Sequence, residues 1–491
     1  MTQKYTKIVA TISDKRCDIP FLQQLYDEGM NVVRLNSAHL TTESFDKIIA
    51  NVRTVSNTIA ILMDTKGPEI RTTANENNQN IALKAGSKIN VIGNPDKLTT
   101  SDCIYLSYPN FAQELNLNDR ILIDDGEIEL MVVEKNADYL TCEVENDAEL
   151  GSRKSVNVPG VRINLPSLTE KDKNNIIYSI ENGVDFIAHS FVRNKQDVID
   201  IQKILDKHNS QIKIIAKIEN QEGVDNIDEI LKHAYGIMVA RGDLGIEVAQ
   251  EKIPGIQRIL IRKCVLAHKP VIVATQMLHS MIENPRPTRA EITDIANAIF
   301  YRTDALMLSG ETAYGKYPVE AVRTMAKIAA EAEITKLSEN DIRIKYIENN
   351  LDITSYLAKT AVESNENLGT KIIITDSITG KTARILASYR AKNPVMAICY
   401  NEKTTRLMAL SYGVFPVDVY QKEKSNSREF FLETLEDLLE KNWINRNDFI
   451  AYLSGSYGAG GGTTFLEINR VDKMFNENWK SNAWTKCLTK M

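Results

Sequence analysis

The sequence predicts an α/β fold: a TIM-type (β/α)8 barrel, an all-β lid domain inserted into it, and a C-terminal α/β regulatory domain. Three observations carry this. Short apolar runs alternate with amphipathic stretches eight times before residue 340, the rhythm of parallel strands joined by helices. The rhythm stops after Arg71 and resumes near residue 160, and the interval reads as short strands and turns. A fresh alternation starts near residue 350.

In order, barrel strands are expected at residues 7–12, 31–36 and 59–65, then at 186–191, 213–218, 236–241, 270–275 and 305–310. The barrel domain thus comprises 1–71 and 160–340. The insertion, 72–159, lacks helical periodicity and carries turn signals at Ala85-Gly86, Gly93-Asn94-Pro95, Asn118-Asp119, Asp125-Gly126 and Pro159-Gly160. A small β domain without helices is expected there. The C-terminal domain, 350–470, has strand patterns at 371–376, 394–400, 414–419 and 447–454, the last running into the glycine-rich stretch 455–462. Residues 471–491 are polar with two tryptophans and match no element.

Bulk properties narrow the function. The 491 residues exceed what one core organises, and 43% apolar with 25% charged residues is ordinary for a globular protein. A net charge of −6 without a basic block argues against nucleic acid or a membrane surface as partner. No apolar run is long enough to span a bilayer, and residues 1–7 lead into a strand without a signal-peptide pattern. Six scattered cysteines without a CxxC pair fit free thiols in a reducing cytoplasm.

The chemistry gathers where apolar runs end. Arg34-Leu35-Asn36, Asp64-Thr65-Lys66-Gly67, Lys217-Ile218-Glu219-Asn220 and Arg241-Gly242-Asp243 each close a strand pattern, and in a barrel those ends converge on the catalytic face. Glu219 and Asp243 end consecutive strands. A lone carboxylate there more often pairs with a Lys or Arg, but two at matching ends suit a hard cation that keeps sites for water and phosphate. Gly242 admits a ligand close to the backbone. Lys217 and Glu219 share a strand face. Lys217 is read as neutralising a transferring phosphoryl group, with a Schiff base or a plain ion pair to Glu219 as alternatives. Arg34 and Arg71 are read as phosphate forks. Asn36, Asp64 and Thr65 offer one carboxylate and neutral oxygens, which suits a monovalent cation. Thr275 closes the seventh strand, and Thr288 with Glu291 reads as a helix cap. In the C-terminal domain, residues 375–382 follow a strand and open a helix; Thr375, Ser377, Thr379, Lys381 and Thr382, with Gly458 in the glycine-rich stretch, form an expected phosphate site.

Assembled, these residues resemble the pyruvate kinase family over nearly the whole chain to about residue 470. The specific stretches are DTKGPEIR from Asp64, AKIEN from Ala216, MVARGDLG from Met238, ATQM from Ala274, PRPTRAE from Pro285 and SGET from Ser309. The resemblance implies phosphoryl transfer from phosphoenolpyruvate to ADP by a homotetramer, with Mg²⁺ (or Mn²⁺) and K⁺. It implies Mg²⁺ on Glu219 and Asp243, Lys217 and Arg71 in catalysis, and Thr275 on the proton side of the enolate. The Gly242 and Asp243 amides take the substrate carboxylate, and Arg34 holds phosphate. Arg71, His39 and Lys171 lie near the nucleotide, Asn36, Asp64 and Thr65 hold K⁺, and the C-terminal domain takes a phosphorylated sugar. Two departures stand out. Arg34 to Leu40 reads RLNSAHL, with Ala38 where the family has a K⁺-binding serine and Leu40 where it has glycine, and Tyr314 replaces a lysine that contacts nucleotide in some members. Glu69, within DTKGPEIR, accompanies K⁺ dependence in the family. A Mg²⁺-dependent lyase would share the Glu219–Asp243 pair but needs no second phosphate shell. A non-catalytic sensor is opposed by the intact Lys217, Glu219, Asp243 and Thr275.

Overall fold

The structure, a computed structural model, describes residues 4–38, 41–335, 352–418, 427–455 and 462–475. Eight parallel strands close a barrel: β1 (Lys7–Thr11), β2 (Val32–Asn36), β3 (Ala60–Asp64), β4 (Phe186–His189), β5 (Lys213–Ile218), β6 (Gly236–Ala240), β7 (Val271–Ala274) and β8 (Ala305–Leu308). Neighbours follow chain order, and β8 pairs back onto β1. Strands such as β3 and β6 are buried at every residue, because side chains alternate between the barrel interior and the helical layer. The outer helices bury one stripe each. Helix Thr42–Val55, capped by Thr41, buries Phe45, Ile48, Ile49 and Val52 at helical spacing.

Strand register brings distant residues level. Arg34 pairs with Leu62 and Asn36 with Asp64, Ala188 also lies beside Asp64, and Lys217 lies beside Met238. Several expected strands end early. β6 stops at Ala240, and helix Arg241–Glu247 begins at once. β7 stops at Ala274, leaving Thr275 and Gln276 with φ of 70° and 53°. The chain turns out of the ladder so that these polar groups face the cleft.

The inserted domain has its own core, including Phe111, Ile121, Leu130 and Val144. Its seven-stranded sheet runs Ile70–Arg71, Ser155–Asn157, Arg120–Ile123, Ile128–Lys135, Leu140–Val144, Lys88–Gly93, Cys103–Leu106. Two differences from the expectation appear. Ile70 and Arg71 already belong to this sheet, paired with Val156 and Ser155, and one helical turn forms at Phe111–Glu114.

The C-terminal sheet contains β9 (Ile372–Ser377), β10 (Val395–Cys399), β11 (Val414–Asp418), β12 (Phe449–Ser454) and β13 (Phe465–Arg470), in the order β11-β10-β9-β12-β13. β13 was not expected. It is an antiparallel edge strand with no fully buried residue; only Leu466 and Ile468 alternate toward the core, in place of the continuous apolar runs of its neighbours. The domain docks on the bottom of the barrel through buried charges. Asp185, just before β4, is fully buried and accepts from Arg53 at 3.0 Å, Arg406 at 2.8 Å, Lys403 at 3.2 Å and the Ile61 amide at 2.9 Å.

Candidate active site

At the carboxyl ends of β2, β3, β4 and β5 a buried charge cluster forms. Arg34 donates from Nε and Nη2 to Asp64 Oδ2 at 2.8 and 2.5 Å, and from Nη1 to Thr11 at 3.1 Å. Lys217 Nζ lies 3.2 Å from Asp64 Oδ1 and 2.9 Å from Glu219 Oε1, and donates to Ser190 Oγ at 2.8 Å. Burial alone would raise the Asp64 carboxyl, but Lys217 and Arg34 outweigh it and hold it below its usual range. Burial likewise opposes a charged Lys217, yet Asp64, Glu219 and Asp243 hold its ammonium above the ordinary value. Glu219 fares differently. Burial first, with the field of Asp243, pushes its carboxyl up to about 8 despite Lys217. The ammonium is shared, and Asp64 has Arg34 besides, so Glu219 is the under-neutralised member.

Glu219 Oε2 accepts from the Phe191 amide at 2.7 Å, an amide aimed by the positive φ of Phe191, 56°. Its Oε1 is buried and meets only the shared Lys217 ammonium, at 2.9 Å. Asp243, in the first turn of helix Arg241–Glu247, makes no hydrogen bond or ion pair among the described residues and lines two adjoining clefts. One short-handed buried carboxylate and one free carboxylate are what a divalent cation fits. Among the described residues no group of three acidic, His or Cys side chains gathers.

On the other side, Thr275 Oγ1 accepts from the Gly242 amide at 2.8 Å and donates to the Ala274 carbonyl at 2.6 Å. A Cβ on Gly242 would lie 3.6 Å from that hydroxyl, so glycine keeps the cleft wall open there rather than relieving a clash.

The two clefts hold about 740 and 760 Å³. The first lies between lid and barrel, lined by Arg71, Glu69, Phe191, Asn220 and Asp243. The second is lined by Thr275, Gly242, Asp243, His279, Glu311 and Tyr314. Asp125 of the lid reaches both, and Asn157 of the lid donates to Glu247 of the barrel at 3.1 Å. Arg71 spends one edge on Glu69 at 2.5 Å and another on the Arg153 carbonyl at 2.9 Å. Lys171 is exposed in the first turn of helix Glu170–Glu181, outside the cleft-lining residues. His39 and Leu40 lie outside the described residues, as does Gly458.

The expected monovalent set meets only in part. Asn36 and Asp64 are register partners, but Asn36 Oδ1 accepts from the Ala38 amide at 3.1 Å and Thr65 Oγ1 from the Ser190 amide at 3.0 Å. Asp64 is already doubly paired. One free oxygen adjoins them: the Ser37 hydroxyl is buried without a hydrogen-bond partner.

In the C-terminal domain, Gly380 (φ 77°) caps helix Lys381–Tyr389, and Thr379 and Lys381 are exposed at its start. Thr382 shares a hydrogen bond with Thr463 at 2.7 Å. Thr375, by contrast, is fully buried and donates to the Asp376 carbonyl at 3.3 Å, and Ser377 is buried. A ligand at this helix start meets residues 379, 381 and 382 rather than Thr375.

Two family models match the chain: the pyruvate kinase barrel domain over residues 3–322 and the pyruvate kinase alpha/beta domain over residues 355–469. The chain belongs to the pyruvate kinase family. A pyruvate kinase of Borreliella burgdorferi is 47% identical over 479 residues, covering 96% of this chain and 98% of that one. One from Geobacillus stearothermophilus is 44% identical over 483 residues, covering 96% of this chain and 81% of the relative. A solved pyruvate kinase from Cryptosporidium parvum superposes with a TM-score of 0.89 at 36% identity over 96% of both chains.

Within this pyruvate kinase fold, the sequence reading overlooked three groups that the site uses. Ser190 bridges Lys217, Asp64 Oδ1 (3.3 Å) and the Thr65 carbonyl (2.7 Å). The signal was available, since Ser190 closes an apolar run as Arg34 and Asp64 do. His189, buried and pushed down to about 4 chiefly by burial, lies 3.4 Å from Thr65 Oγ1 as a neutral imidazole. Arg241 holds the Thr275 turn. Its position in a motif marked it, but its inward direction was not readable.

Proposed function

We propose that the cleft transfers the phosphoryl group of phosphoenolpyruvate to ADP, forming ATP and the enolate of pyruvate. The P–O bond to the enol oxygen breaks, a bond to the terminal ADP oxygen forms, and the enolate methylene takes one proton to give pyruvate. The supporting observation is the buried Lys217 ammonium, ion-paired to Asp64 and to the under-neutralised Glu219, with the free carboxylate of Asp243 lining the adjoining clefts. Lys217 and Arg34 set positive charge where the transferring group carries its negative charge, a preorganised arrangement that needs no reorganisation during reaction. Glu219 and Asp243 would hold Mg²⁺ or Mn²⁺, which when bound adds positive charge at the substrate oxygens. The Gly242 and Asp243 amides receive the substrate carboxylate. That carboxylate exchanges with the Thr275 hydroxyl now on the Gly242 amide, freeing the hydroxyl to face the enolate and deliver a proton through water. Arg71, at the seam of lid and barrel, faces the nucleotide phosphates, with His39 and Lys171 proposed nearby. Lid closure excludes water that would otherwise compete for the phosphoryl group.

K⁺ is proposed beside Asn36, Asp64 and Thr65, and a phosphorylated sugar at Thr379, Lys381 and Thr382. A homotetramer in the cytoplasm is the assembly the family suggests; no helix among the described residues is long and apolar enough to cross a membrane. The deciding assay supplies phosphoenolpyruvate, ADP, Mg²⁺ and K⁺ and measures pyruvate and ATP together. Equal amounts of both are expected. Release of pyruvate without ATP would indicate a hydrolase or lyase instead.

A further inference from the structure

Thr275 and Gln276 are consecutive non-glycine residues in the left-handed region. L side chains rarely adopt that conformation, and it lasts only where neighbours over-determine it. One side chain holds two successive carbonyls of this turn. The Arg241 guanidinium, 11% exposed, donates from Nη2 to the Thr275 carbonyl at 2.6 Å and from Nε to the Ala274 carbonyl at 3.3 Å. Nη2 also lies 2.9 Å from Met277 Sδ. The outer edge is braced: Nη1 donates to Asp294 Oδ2 at 2.6 Å and lies 3.5 Å from Gln257 Oε1. Asp294 sits on helix Arg289–Phe300, which the Thr288–Glu291 capping box anchors. The next residue, Gly242, takes Thr275 by its hydroxyl. Without substrate, residues 241 and 242 hold Thr275 at both carbonyl and side chain; once the substrate carboxylate takes the Gly242 amide, the Arg241 bonds to the two carbonyls are the ones that remain.

We propose that Arg241, braced by Asp294, is the positioning residue that fixes the Thr275 hydroxyl on the proton side of the enolate, without itself touching substrate. This rests on the reading of Thr275 given above. The planar fork is essential, because it spans two successive carbonyls while its other edge meets a carboxylate. A lysine ammonium cannot make that set of bonds.

The test uses the full chain with Mg²⁺ and K⁺ and four variants: Arg241→Lys, Arg241→Met, Thr275→Ala and the double Arg241→Met/Thr275→Ala. Two rates are read: ATP formation, and exchange of pyruvate methyl protons into D₂O followed by proton NMR, which isolates the enolisation step. Arg241→Met is expected to slow exchange roughly a hundredfold, as a misplaced catalytic group does, while the KM for phosphoenolpyruvate moves less than about threefold. Arg241→Lys should behave like Arg241→Met. The double variant should be no slower than Thr275→Ala, because residues acting through one another are not additive. Multiplicative losses in the double variant would overturn the proposal, since Arg241 would then act by a separate route. A slow Thr275→Ala with a normal Arg241→Met would defeat the positioning role alone. Normal exchange in Thr275→Ala would defeat the reading of Thr275 and the proposal with it. Should Arg241→Met fail to fold, Asp294→Asn serves the same cycle. It must slow exchange on its own and add nothing to Thr275→Ala, or the proposal fails.

Discussion

Replacing Lys217 with methionine isolates the charge on which the proposed chemistry depends. Methionine keeps the apolar stem and removes the ammonium, so three contacts go: Asp64 at 3.2 Å, Glu219 at 2.9 Å and Ser190 at 2.8 Å. The shell survives that loss. Asp64 retains the Arg34 fork, Glu219 retains the Phe191 amide, and Ser190 retains the Thr65 carbonyl. The ground-state geometry is therefore held by other bonds, and the damage falls on the transition state. Losing one preorganised charge in a dry site costs about 3–4 kcal/mol, roughly a hundred- to thousandfold in kcat. Glu219 and Asp243 remain, so divalent-ion affinity should stay within about threefold, since neither carboxylate is removed. The assay pairs ATP formation at saturating phosphoenolpyruvate with direct Mn²⁺ titration by electron paramagnetic resonance, and urea midpoints check that the fold is kept. Normal turnover would refute the assignment. So would a loss of Mn²⁺ affinity as large as the loss in rate, which would make Lys217 a support for the metal site alone.

Three further outcomes are expected. Asp185→Ala strands three cations around one buried position, and because Arg53, Lys403 and Arg406 keep some solvent contact the cost should sit near the low end of broken buried pairs, about 3 kcal/mol by urea unfolding. Burial raises the Asp185 carboxyl, but Lys403, Arg53 and Arg406 outweigh it and hold it below its ordinary value. The stability it contributes is therefore full above an unfolded value of about 3.9 and lost as pH falls through the folded value, so the wild-type advantage should shrink below about pH 4; an advantage independent of pH there would mean Asp185 is not the source. In the C-terminal domain, substrate saturation is measured with fructose 1,6-bisphosphate, ribose 5-phosphate and glucose 6-phosphate in turn. At least one should lower the apparent substrate constant, and Thr379→Ala with Lys381→Ala should abolish the shift; no shift with any sugar would make the domain structural. For the monovalent site, rates in K⁺ should exceed those in a bulky organic cation at equal ionic strength, and Ala38→Ser should tighten K⁺ by restoring a neutral oxygen beside Asn36. Equal rates in the two salts would show that no such site operates.

The sequence by itself determined the domain plan and the residue types at the catalytic edge. Alternation of buried strands with one-sided helices is a local property, written in runs such as 60–64 and in the spacing of Phe45, Ile48, Ile49 and Val52. A polar residue that ends such a run is equally local, so Arg34, Asp64, Lys217 and Glu219 were legible singly. Strand ends were read too long at 241 and 275, because an apolar pattern does not reveal where the backbone leaves the ladder. β13 went unread because its core-facing side is only half-buried: Leu466 and Ile468 alternate toward the core, too short a pattern to stand out from a loop. Partnership was decided only by tertiary structure. Barrel closure and register set Asp64 between Arg34 and Lys217, which gives Asp64 two cations and leaves Glu219 short of one. The same closure aims Arg241 inward at Thr275 rather than outward at a phosphate, and sets Arg71 into the lid sheet. Charges interact through space and not along the chain, so which cation satisfies which carboxylate is fixed only when the strands that carry them stand side by side.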